Sequence, residues 1–358
     1  MNDGSSGQPG KARLKDVAAL AGVSQGTASN VFNKPDLVAE NLREQVLQAA
    51  QKLGYTGPQP AARLLRSGKA GCIALLTDAS AAYLVSDAYG QRLLAGAAQA
   101  CDAAGLGLTI VGQGAAKTAS GWSVDTAIAD GFVIYCFEEN DGIFDRLRRR
   151  GGAYVTVDGG RRGGLARIGI DEEAAAASAM AHLTDLGHRR VGILTLELTQ
   201  TSPPGPIDAA QVAAARYRTT GLRLRGYAHA AALAGVGAED CPAFQTRNSA
   251  ASARLGVDWM LSLPNPPTAL ACMSDVIALA AMARLKERGL SVPRDISVVG
   301  FDGIAAGALS EPALTTIIQP AEEKGRAAVN ILVDGRPTDD EILPARLCVR
   351  ASTAPPPR

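Results

Sequence analysis

The segment from Leu14 to Asn33 constrains the fold most, because it has the pattern of two short helices joined by a tight turn. In its first half, apolar residues recur at the i, i+3, i+4, i+7 spacing of one helical face, namely Leu14, Val17, Ala18 and Ala21. Gly22 then breaks the pattern, since glycine readily takes the left-handed conformation that ends a helix. Ser24 can cap the next helix by accepting a hydrogen bond from a free backbone N–H. The segment therefore predicts a helical hairpin.

The second predicted helix has an inner and an outer face. The inner face carries Thr27, Ala28 and Val31, and the outer face carries Gln25, Gly26, Ser29 and Asn30. The outer residues are small or bear amides, and none is a carboxylate, which suits a helix lying in the major groove of DNA. A third helix can cover the pair with an apolar stripe of Leu42, Val46, Ala49, Ala50 and Leu53. Helix geometry alone equally allows a small bundle whose polar face is merely solvated.

Residues 14 to 69 closely resemble the DNA-binding headpiece of the LacI family of transcription regulators. The resemblance lies in the runs L-K-D-V-A-x-x-A-G-V-S-x-x-T-A-S-x-V-F-N and V-x-x-x-x-R-E-x-V-x-x-A-A-x-x-L-G-Y. It implies a sequence-specific DNA-binding regulator, expected to be a repressor, that reads a pseudo-palindromic operator as a homodimer. The expected DNA contacts are Arg13, Leu14, Lys15, Ser24, Gln25, Gly26, Thr27, Ser29, Asn30, Asn33 and Leu65.

The segment that follows the headpiece departs from the family pattern. In the family it forms a hinge helix whose leucine wedges into the minor groove, and that leucine aligns with Leu65. The family sequence Y-x-P-N is replaced here by Tyr55-Thr56-Gly57-Pro58-Gln59, which has one extra residue and no asparagine. Ala39 stands where the family usually has a serine that caps the third helix. A flexible tether between domains is the alternative interpretation of this segment.

Composition excludes several classes of protein. The chain has 358 residues, of which 47% are hydrophobic, enough for two domains or one large two-lobed domain with buried cores. No apolar run reaches the roughly 18 residues that cross a bilayer, and the polar first ten residues lack a hydrophobic export signal. We therefore expect no membrane association and a cytoplasmic, nucleoid-associated protein. The six cysteines show no C-x-x-C pair, so we expect them to be reduced core residues.

Charge is unevenly distributed along the chain. The net charge is +1, but the first 69 residues hold nine basic and five acidic residues, a net charge of +4. The rest of the chain is therefore slightly acidic. The basic part coincides with the predicted headpiece, as contact with DNA phosphates requires.

From Gly71 onward, strand-like apolar runs alternate with amphipathic helices, which indicates parallel sheets with helices on both faces. The runs include CIALLT, GFVIYCF, AYVTVD, RVGILTL, PTALACM and ISVVGFD. They resemble the two-lobed periplasmic-binding-protein fold that serves as the effector domain of LacI regulators. The expected fold class is thus an all-α helix-turn-helix headpiece followed by a two-lobed α/β core with two parallel sheets.

This assignment divides the chain into five parts. We expect a disordered tail at 1–12, the helix-turn-helix domain at 13–56, the hinge at 57–69, an effector-binding and dimerisation core at 70–352, and a tail at 353–358. Lobe 1 would comprise about 70–170 and 319–346, and lobe 2 about 171–318 with the C-terminal end. No leucine heptad follows residue 334, so a dimer is expected rather than a coiled-coil tetramer.

Ligands of open α/β sheets bind at the carboxyl ends of the strands. The polar residues that follow predicted strands are Asp78, Asp158, Ser274, Asp275 and Asp302. The resemblance implies effector contacts at Arg223 and Thr219. It also implies effector contacts at Asp158, Ser274 and Asp302. Arginine and aspartate together suit a polyol, a sugar acid or a nucleoside, and a sugar or sugar derivative is the expected effector. Each of these residues could instead be a helix cap or a surface ion pair, and we interpret Asp275 as structural.

Two further features concern the effector. The segment DASAAYLVSDAYG lacks the N-P-F-F run that commonly lines the family pocket, and Tyr83 and Tyr89 are candidates for an aromatic wall. The long segment from Thr199 to Arg216 borders the helix that contains Arg223. A nucleoside, or a protein corepressor bound by a sensor of the same fold, is the alternative to a sugar.

The apparent enzyme motifs in the sequence each lack a feature that their chemistry requires. Gly22 to Gly26 matches G-x-S-x-G, but a helix rather than a strand precedes it. The segment from Gly112 to Thr118 lacks the phosphate-loop spacing. The three histidines, His182, His188 and His229, have no metal-binding spacing, and His188 is expected in a helix-to-strand turn. We therefore expect no catalytic residue, no metal and no cofactor. A solute-binding protein would show an export signal and no headpiece.

Overall fold

We describe a computed structural model of the chain over residues 12–57, 68–112, 123–139 and 141–357. The chain divides into two compact units at the boundary between Ala70 and Gly71. The hinge residue Leu65 and the segment from 113 to 118 lie outside the described residues.

The N-terminal unit is a three-helix bundle. It contains α1 (Leu14–Leu20), α2 (Gln25–Asn33), a 3-10 turn (Pro35–Leu37) and α3 (Glu40–Lys52). Its small core is made of the predicted apolar stripes, with Val17, Ala18, Ala28, Val31, Val46, Ala49 and Ala50 buried. The predicted helical hairpin and its covering third helix are confirmed.

The ends of the headpiece helices follow the predicted capping chemistry. Gly22 has φ of 66° in the turn after α1. The Ser24 hydroxyl caps α2 by accepting a hydrogen bond from the Thr27 backbone N–H at 3.0 Å. Ala39 stands at the N-cap of α3 and makes no side-chain capping bond. The helix α3 therefore begins without the bond, typically worth about 1 kcal/mol, that a serine would supply.

The second unit contains two sheets, each of which defines a lobe. The lobe 1 sheet has the order β12-β5-β4-β3-β1-β2 and is parallel throughout. Its strands are β1 (Cys72–Thr77), β2 (Gly107–Gly112), β3 (Gly131–Tyr135), β4 (Ala153–Val157), β5 (Ala166–Gly169) and β12 (Glu341–Ile342). The helices associated with it are α4 (Ala81–Ser86), α5 (Ala88–Ala103), α6 (Ile143–Arg150) and α13 (Ala321–Asp334).

The lobe 2 sheet has the order β13-β11-β10-β9-β6-β8-β7, with antiparallel strands only at its two edges. Its strands are β6 (Val191–Thr195), β7 (Gly205–Ile207), β8 (Ala243–Gln245), β9 (Ala269–Cys272), β10 (Ser297–Asp302), β11 (Thr315–Ile318) and β13 (Arg346–Cys348). The accompanying helices are α7 (Glu172–Asp185), α8 (Ala209–Ala213), α9 (Arg218–Leu233), a 3-10 turn (Ala238–Asp240), α10 (Ala250–Ser262), α11 (Asp275–Glu287) and α12 (Ala305–Leu309). The predicted two-lobed α/β core is confirmed.

Several element boundaries differ from the sequence pattern. A separate helix, α4, precedes α5, because Ser80 and Asp87 each cap a helix with their side chains. The helix that contains Arg223 begins five residues before it, at Arg218. Strands β5, β7, β8, β11, β12 and β13 were not predicted, because each is only two to four residues long. Helices α8, α10, α12 and α13 were not predicted either.

The C-terminal segment, predicted as a tail, lies against lobe 2. Just before it, Ser352, the last residue of the predicted core, is fully buried and donates a hydrogen bond to the Val298 carbonyl at 2.6 Å. The Ala354 carbonyl lies 2.9 Å from Nε2 of His188, which stands in the predicted turn between α7 and β6. None of the described helices is long and apolar enough to span a membrane.

Candidate DNA-binding face and effector cavity

The predicted DNA contacts of the headpiece lie on or beside α2. Gln25, Gly26 and Asn30 are exposed on this helix, and Arg13 and Lys15 are exposed at the start of α1. Because no described carboxylate lies on α2, its outer face offers amide and hydroxyl groups alone. This is the chemistry that reads base edges.

Other predicted contacts already have intramolecular roles. The hydroxyls of Ser24 and Thr27 lie 2.9 Å apart at the start of α2. Asn33 donates to the Ser29 carbonyl at 2.8 Å, and Leu14 packs against the headpiece core. These four side chains therefore shape the helix pair in addition to any role at DNA.

A cavity of about 230 Å³ lies between the two lobes of the core, at the carboxyl ends of the strands. All seven predicted effector residues line it: Asp78, Tyr83, Asp158, Thr219, Arg223, Ser274 and Asp302. The first three come from lobe 1 and the others from lobe 2. Tyr89, named with Tyr83 as a candidate aromatic wall, also lines the cavity, together with Tyr135 and Tyr217. Asp275 does not line it, because its carboxylate is fully buried and accepts hydrogen bonds from Thr316 and the Ile304 backbone N–H.

Arg223 is held rigidly in the cavity wall. It is only 4% exposed, and its Nε donates to Oε2 of Glu172 at 2.7 Å. Its Nη1 donates to the Met273 carbonyl at 2.5 Å, and the guanidinium carbon lies 3.6 Å from the ring centroid of Phe301. Burial alone would lower the pKa of Arg223, but attraction to Glu172 and Asp302 raises it above its ordinary value.

The close packing of α7 against α9 brings Glu172 and Arg223 together. Gly226, one turn after Arg223, faces α7, where a Cβ would collide with the carbonyl oxygen of Glu173. Glycine at this position therefore lets the two helices approach far enough to form a fully buried ion pair.

Asp158 belongs to a buried network in lobe 1. Its Oδ1 accepts from Nζ of Lys324 at 2.6 Å, and its Oδ2 accepts from the Tyr89 hydroxyl at 2.7 Å. Lys324 is fully buried and also donates to Oε1 of Gln319 at 2.6 Å. The amide of Gln319 in turn donates to Asp302 at 2.7 Å, so one hydrogen-bonded chain joins Asp158 and Asp302, two of the three predicted aspartates.

Besides this hydrogen-bonded chain, two further sets of hydrogen bonds join the lobes at the cavity. On one side, Asn248 donates to the Tyr83 hydroxyl at 2.8 Å and to Asp87 at 3.0 Å, and accepts from Ser274 at 2.6 Å. On the other side, the hydroxyl of Tyr217 donates to Asp78. Side chains of the two lobes therefore bind each other directly at the cavity that the lobes share.

Burial perturbs the carboxyl groups of the cavity. It raises the pKa of Asp78 to about 7, although the hydrogen bond from Tyr217 opposes the shift. Burial also raises the pKa of Asp87, Glu197 and Asp302, the last to well above its ordinary range. Each carboxylate is thus costly to keep charged without a ligand that donates to it.

Sequence reasoning missed other cavity residues, among them Asp87, Glu197, Arg247, Asn248 and Gln319. Glu197, Asn248 and Gln319 follow strands β6, β8 and β11 by one to three residues. The rule that polar residues at strand ends line the site would have found the last two if β8 and β11 had been recognised.

The expectation that all six cysteines are core residues is only partly met: Cys101 and Cys272 are buried, and Cys72, Cys241 and Cys348 are half-buried. Cys136 is an exposed residue of the cavity lining rather than a core residue. It follows β3 with φ of 62°, and this left-handed conformation ends the strand's alternation. Within the described residues no group of histidine, cysteine and acidic side chains is placed to hold a metal ion.

Comparison with known proteins identifies the family. Residues 13–57 match the model of bacterial regulatory proteins of the lacI family, and residues 180–353 match that of the periplasmic binding protein-like domain. The chain is 35% identical over 355 residues to the HTH-type transcriptional regulator Rv3575c of Mycobacterium tuberculosis, covering 97% of this chain and 98% of the relative.

Solved structures give the same result. A transcriptional regulator of the LacI family from Corynebacterium glutamicum matches with a TM-score of 0.72 and 29% identity, covering 97% of this chain and 100% of that one. The complex of the transcriptional regulator CelR with cellobiose matches with a TM-score of 0.68 and 25% identity, covering 95% and 99%. The headpiece, the two-lobed core and these matches together show that the chain is a transcriptional regulator of the LacI family.

Proposed function

We propose that this regulator binds a pseudo-palindromic operator as a homodimer and that a small, hydroxyl-rich effector, a sugar or sugar derivative, controls this binding from the cavity between the lobes. The observation that carries the proposal is the convergence of all seven predicted effector residues on one cavity formed by both lobes. A ligand there contacts both lobes at once, so it can favour one relative arrangement over another.

At the DNA, Gln25, Gly26, Ser29 and Asn30 form the part of α2 that enters the major groove. Glutamine and asparagine can each make two hydrogen bonds to adenine, and a glycine between them allows close approach to the bases. Arg13 and Lys15 supply phosphate contacts, which position the helix without reading sequence. Leu65 is proposed to insert into the minor groove between the half-sites.

In the cavity, carboxylates accept hydrogen bonds from ligand hydroxyls, and the tyrosine rings pack against apolar C–H faces. Arg223 supplies donors that are already oriented by Glu172 and Met273. The CelR–cellobiose complex shows a carbohydrate bound by a protein of this fold. Coupling between such a ligand and the operator is typically about 1–3 kcal/mol, or about 5-fold to 150-fold in affinity.

The DNA-binding part is tested by selecting an operator from random duplexes and measuring its affinity for variants. We expect Gln25→Ala to cost about 1–3 kcal/mol and to relax the preference at one base position. Gln48→Ala, an exposed glutamine on α3, is the matched control and should leave the base preference unchanged. An unchanged preference in Gln25→Ala would remove this residue from base recognition.

The effector part is tested by a thermal-shift screen of sugars, sugar acids, polyols and nucleosides, because a ligand that binds only the folded state raises Tm. A compound that raises Tm should also change operator affinity. Asp302→Asn keeps an oxygen that can accept from Gln319, yet it should weaken the response to that compound at least about tenfold. Glu239→Gln, an exposed carboxylate of lobe 2, is the control. A full response in Asp302→Asn would place the effector elsewhere.

A further inference from the structure

The basic groups in and beside the cavity are paired with protein carboxylates. Arg223 pairs with Glu172 at 2.7 Å, and Lys324 pairs with Asp158 at 2.6 Å. The ion pair between Arg247 and Glu197 is longer, at 3.9 Å. Arg218 pairs with Glu139 at 3.7 Å. A ligand therefore meets two buried cations, Arg223 and Lys324, that the protein has already neutralised, whereas the pairs of Arg247 and Arg218 are longer and partly exposed.

Three cavity carboxylates, Asp78, Asp87 and Asp302, have no basic partner within 4 Å among the described residues. Their hydrogen bonds come from neutral donors, namely Tyr217, Asn248 and Gln319 respectively, with a backbone N–H also reaching Asp87. Arg223 attracts Asp302 from a greater distance, but burial still raises the pKa of Asp302. Asp78 and Asp302 are only 6% and 7% exposed, and both line the cavity.

Burial raises the pKa of all three carboxyl groups, that of Asp78 to about 7, so Asp78 is fully charged only above neutral pH. Once present, unpaired negative charge in a buried cavity acts strongly on a ligand, because the surrounding protein screens it less than water does. A carboxylate or phosphate on the ligand would add a like charge beside these groups. A ligand hydroxyl would instead donate a hydrogen bond to them. The pairing of Arg223 decides between these outcomes, since an unpaired arginine would attract the anion.

We propose that the effector cavity takes an uncharged polyhydroxylated ligand and rejects its anionic analogues, and that Glu172 sets this preference by neutralising Arg223. Glu172 does not line the cavity, so it is a specificity-determining residue that acts through Arg223. This inference rests on the proposed function for its ligand, but the sign of the cavity's charge can be measured without any ligand.

Cys136 provides the probe, because it is an exposed residue of the cavity lining. Desolvation and the nearby carboxylates raise the pKa of its thiol, so the reaction is run at about pH 9, where more thiolate is present. The thiolate attacks the sulfenyl sulfur of a methanethiosulfonate reagent, which forms a mixed disulfide and releases methanesulfinate. The trimethylammonioethyl reagent is cationic and the sulfonatoethyl reagent is anionic. Each rate at Cys136, followed by mass spectrometry on the full chain, is divided by the rate of the same reagent with free 2-mercaptoethanol. Cys136→Ala identifies the signal from the other cysteines.

At about pH 9, where Asp78 is ionised, we expect the normalised rate of the cationic reagent to exceed that of the anionic reagent by at least about tenfold. The double variant Asp78→Asn/Asp302→Asn should reduce this ratio toward one. Glu172→Gln should also reduce it, because the charge of Arg223 is then no longer cancelled. Glu173→Gln is the matched control, since Glu173 pairs with the exposed Arg225 on the same two helices. Equal normalised rates in the unaltered protein, or a faster anionic reagent, would overturn the proposal.

Thermal shifts with matched pairs extend the test to ligands. The pairs are glucose with glucuronate, galactose with galacturonate, and ribose with ribose 5-phosphate. We expect the uncharged member to give any rise in Tm, and a larger rise with an anionic member contradicts the inference. The two proposals can fail separately. If Cys136 reacts faster with the cationic reagent but no compound in the panel changes operator binding, the cavity is negatively charged as inferred. The proposed control of operator binding by an effector is then contradicted.

Discussion

The DNA-binding face and the effector cavity are built in opposite ways. The candidate base contacts lie on nine consecutive residues of one helix, α2, and most of them are exposed. The cavity takes residues from at least nine separate chain segments between Asp78 and Gln319, and its key charges are buried. The face depends on local helix geometry, whereas the cavity depends on packing between distant parts of the chain.

This difference determines where each region is vulnerable. A substitution on the exposed face removes a contact with DNA and leaves the headpiece folded. A substitution in the cavity can leave a buried charge without its partner, which costs folding free energy before it affects a ligand. The following variants test this contrast, beginning with the largest expected effect.

Arg223→Ala should destabilise the core by about 3–5 kcal/mol, because it leaves the carboxylate of Glu172 buried without a counter-ion. Arg225→Ala is the control, two residues along the same helix, where the partner Glu173 is exposed. There we expect a change within about 1 kcal/mol. Urea unfolding of the core, followed for both variants, measures the difference. Similar values for the two would show that burial of the Arg223 pair carries no special cost.

Asp78→Asn should change how stability depends on pH. The folded-state pKa of Asp78 is raised to about 7, so the native state holds the proton more tightly than the unfolded chain, whose carboxyl has a pKa near 3.9. Stability is therefore lost as pH rises from about 4 to about 7. The asparagine removes this loss and can still accept from Tyr217.

Tm measured from pH 4 to pH 8 should therefore rise in Asp78→Asn relative to the unaltered core, with the gain growing up to about pH 7. Asp102→Asn, an exposed carboxylate of lobe 1, serves as the comparison. If Asp78→Asn and the unaltered core show parallel pH profiles, Asp78 is already ionised in the folded protein at low pH.

The smallest effects are expected in the headpiece. Ser24→Ala removes the N-cap of α2 and should cost about 1 kcal/mol, seen as faster amide hydrogen exchange at the start of that helix. Ala39→Ser is the reciprocal change, because it supplies the missing cap of α3 and should slow exchange there by a similar free energy. Unchanged exchange in both would mean that tertiary packing, not capping, holds these helix ends.

Local chemistry made much of the molecule predictable. The stripe spacing, Gly22 and Ser24 predicted the helical hairpin and its boundaries. Polar residues after long apolar strands predicted Asp78, Asp158 and Asp302 at the cavity. Short strands such as β8 and β11 gave too little periodic signal, so the residues that follow them were missed.

The sequence by itself determined the headpiece, the alternating core and the strand ends that meet at the cavity, because helix and strand periodicity act over a few residues. The tertiary structure alone decided how the charges pair. Glu172 and Arg223 are 51 residues apart, and Asp158 and Lys324 are 166 apart, so no local pattern joins them. It also turned Cys136 toward the cavity. The charge that a ligand encounters follows from these contacts, since burial and distance rather than residue type set the strength of an ion pair.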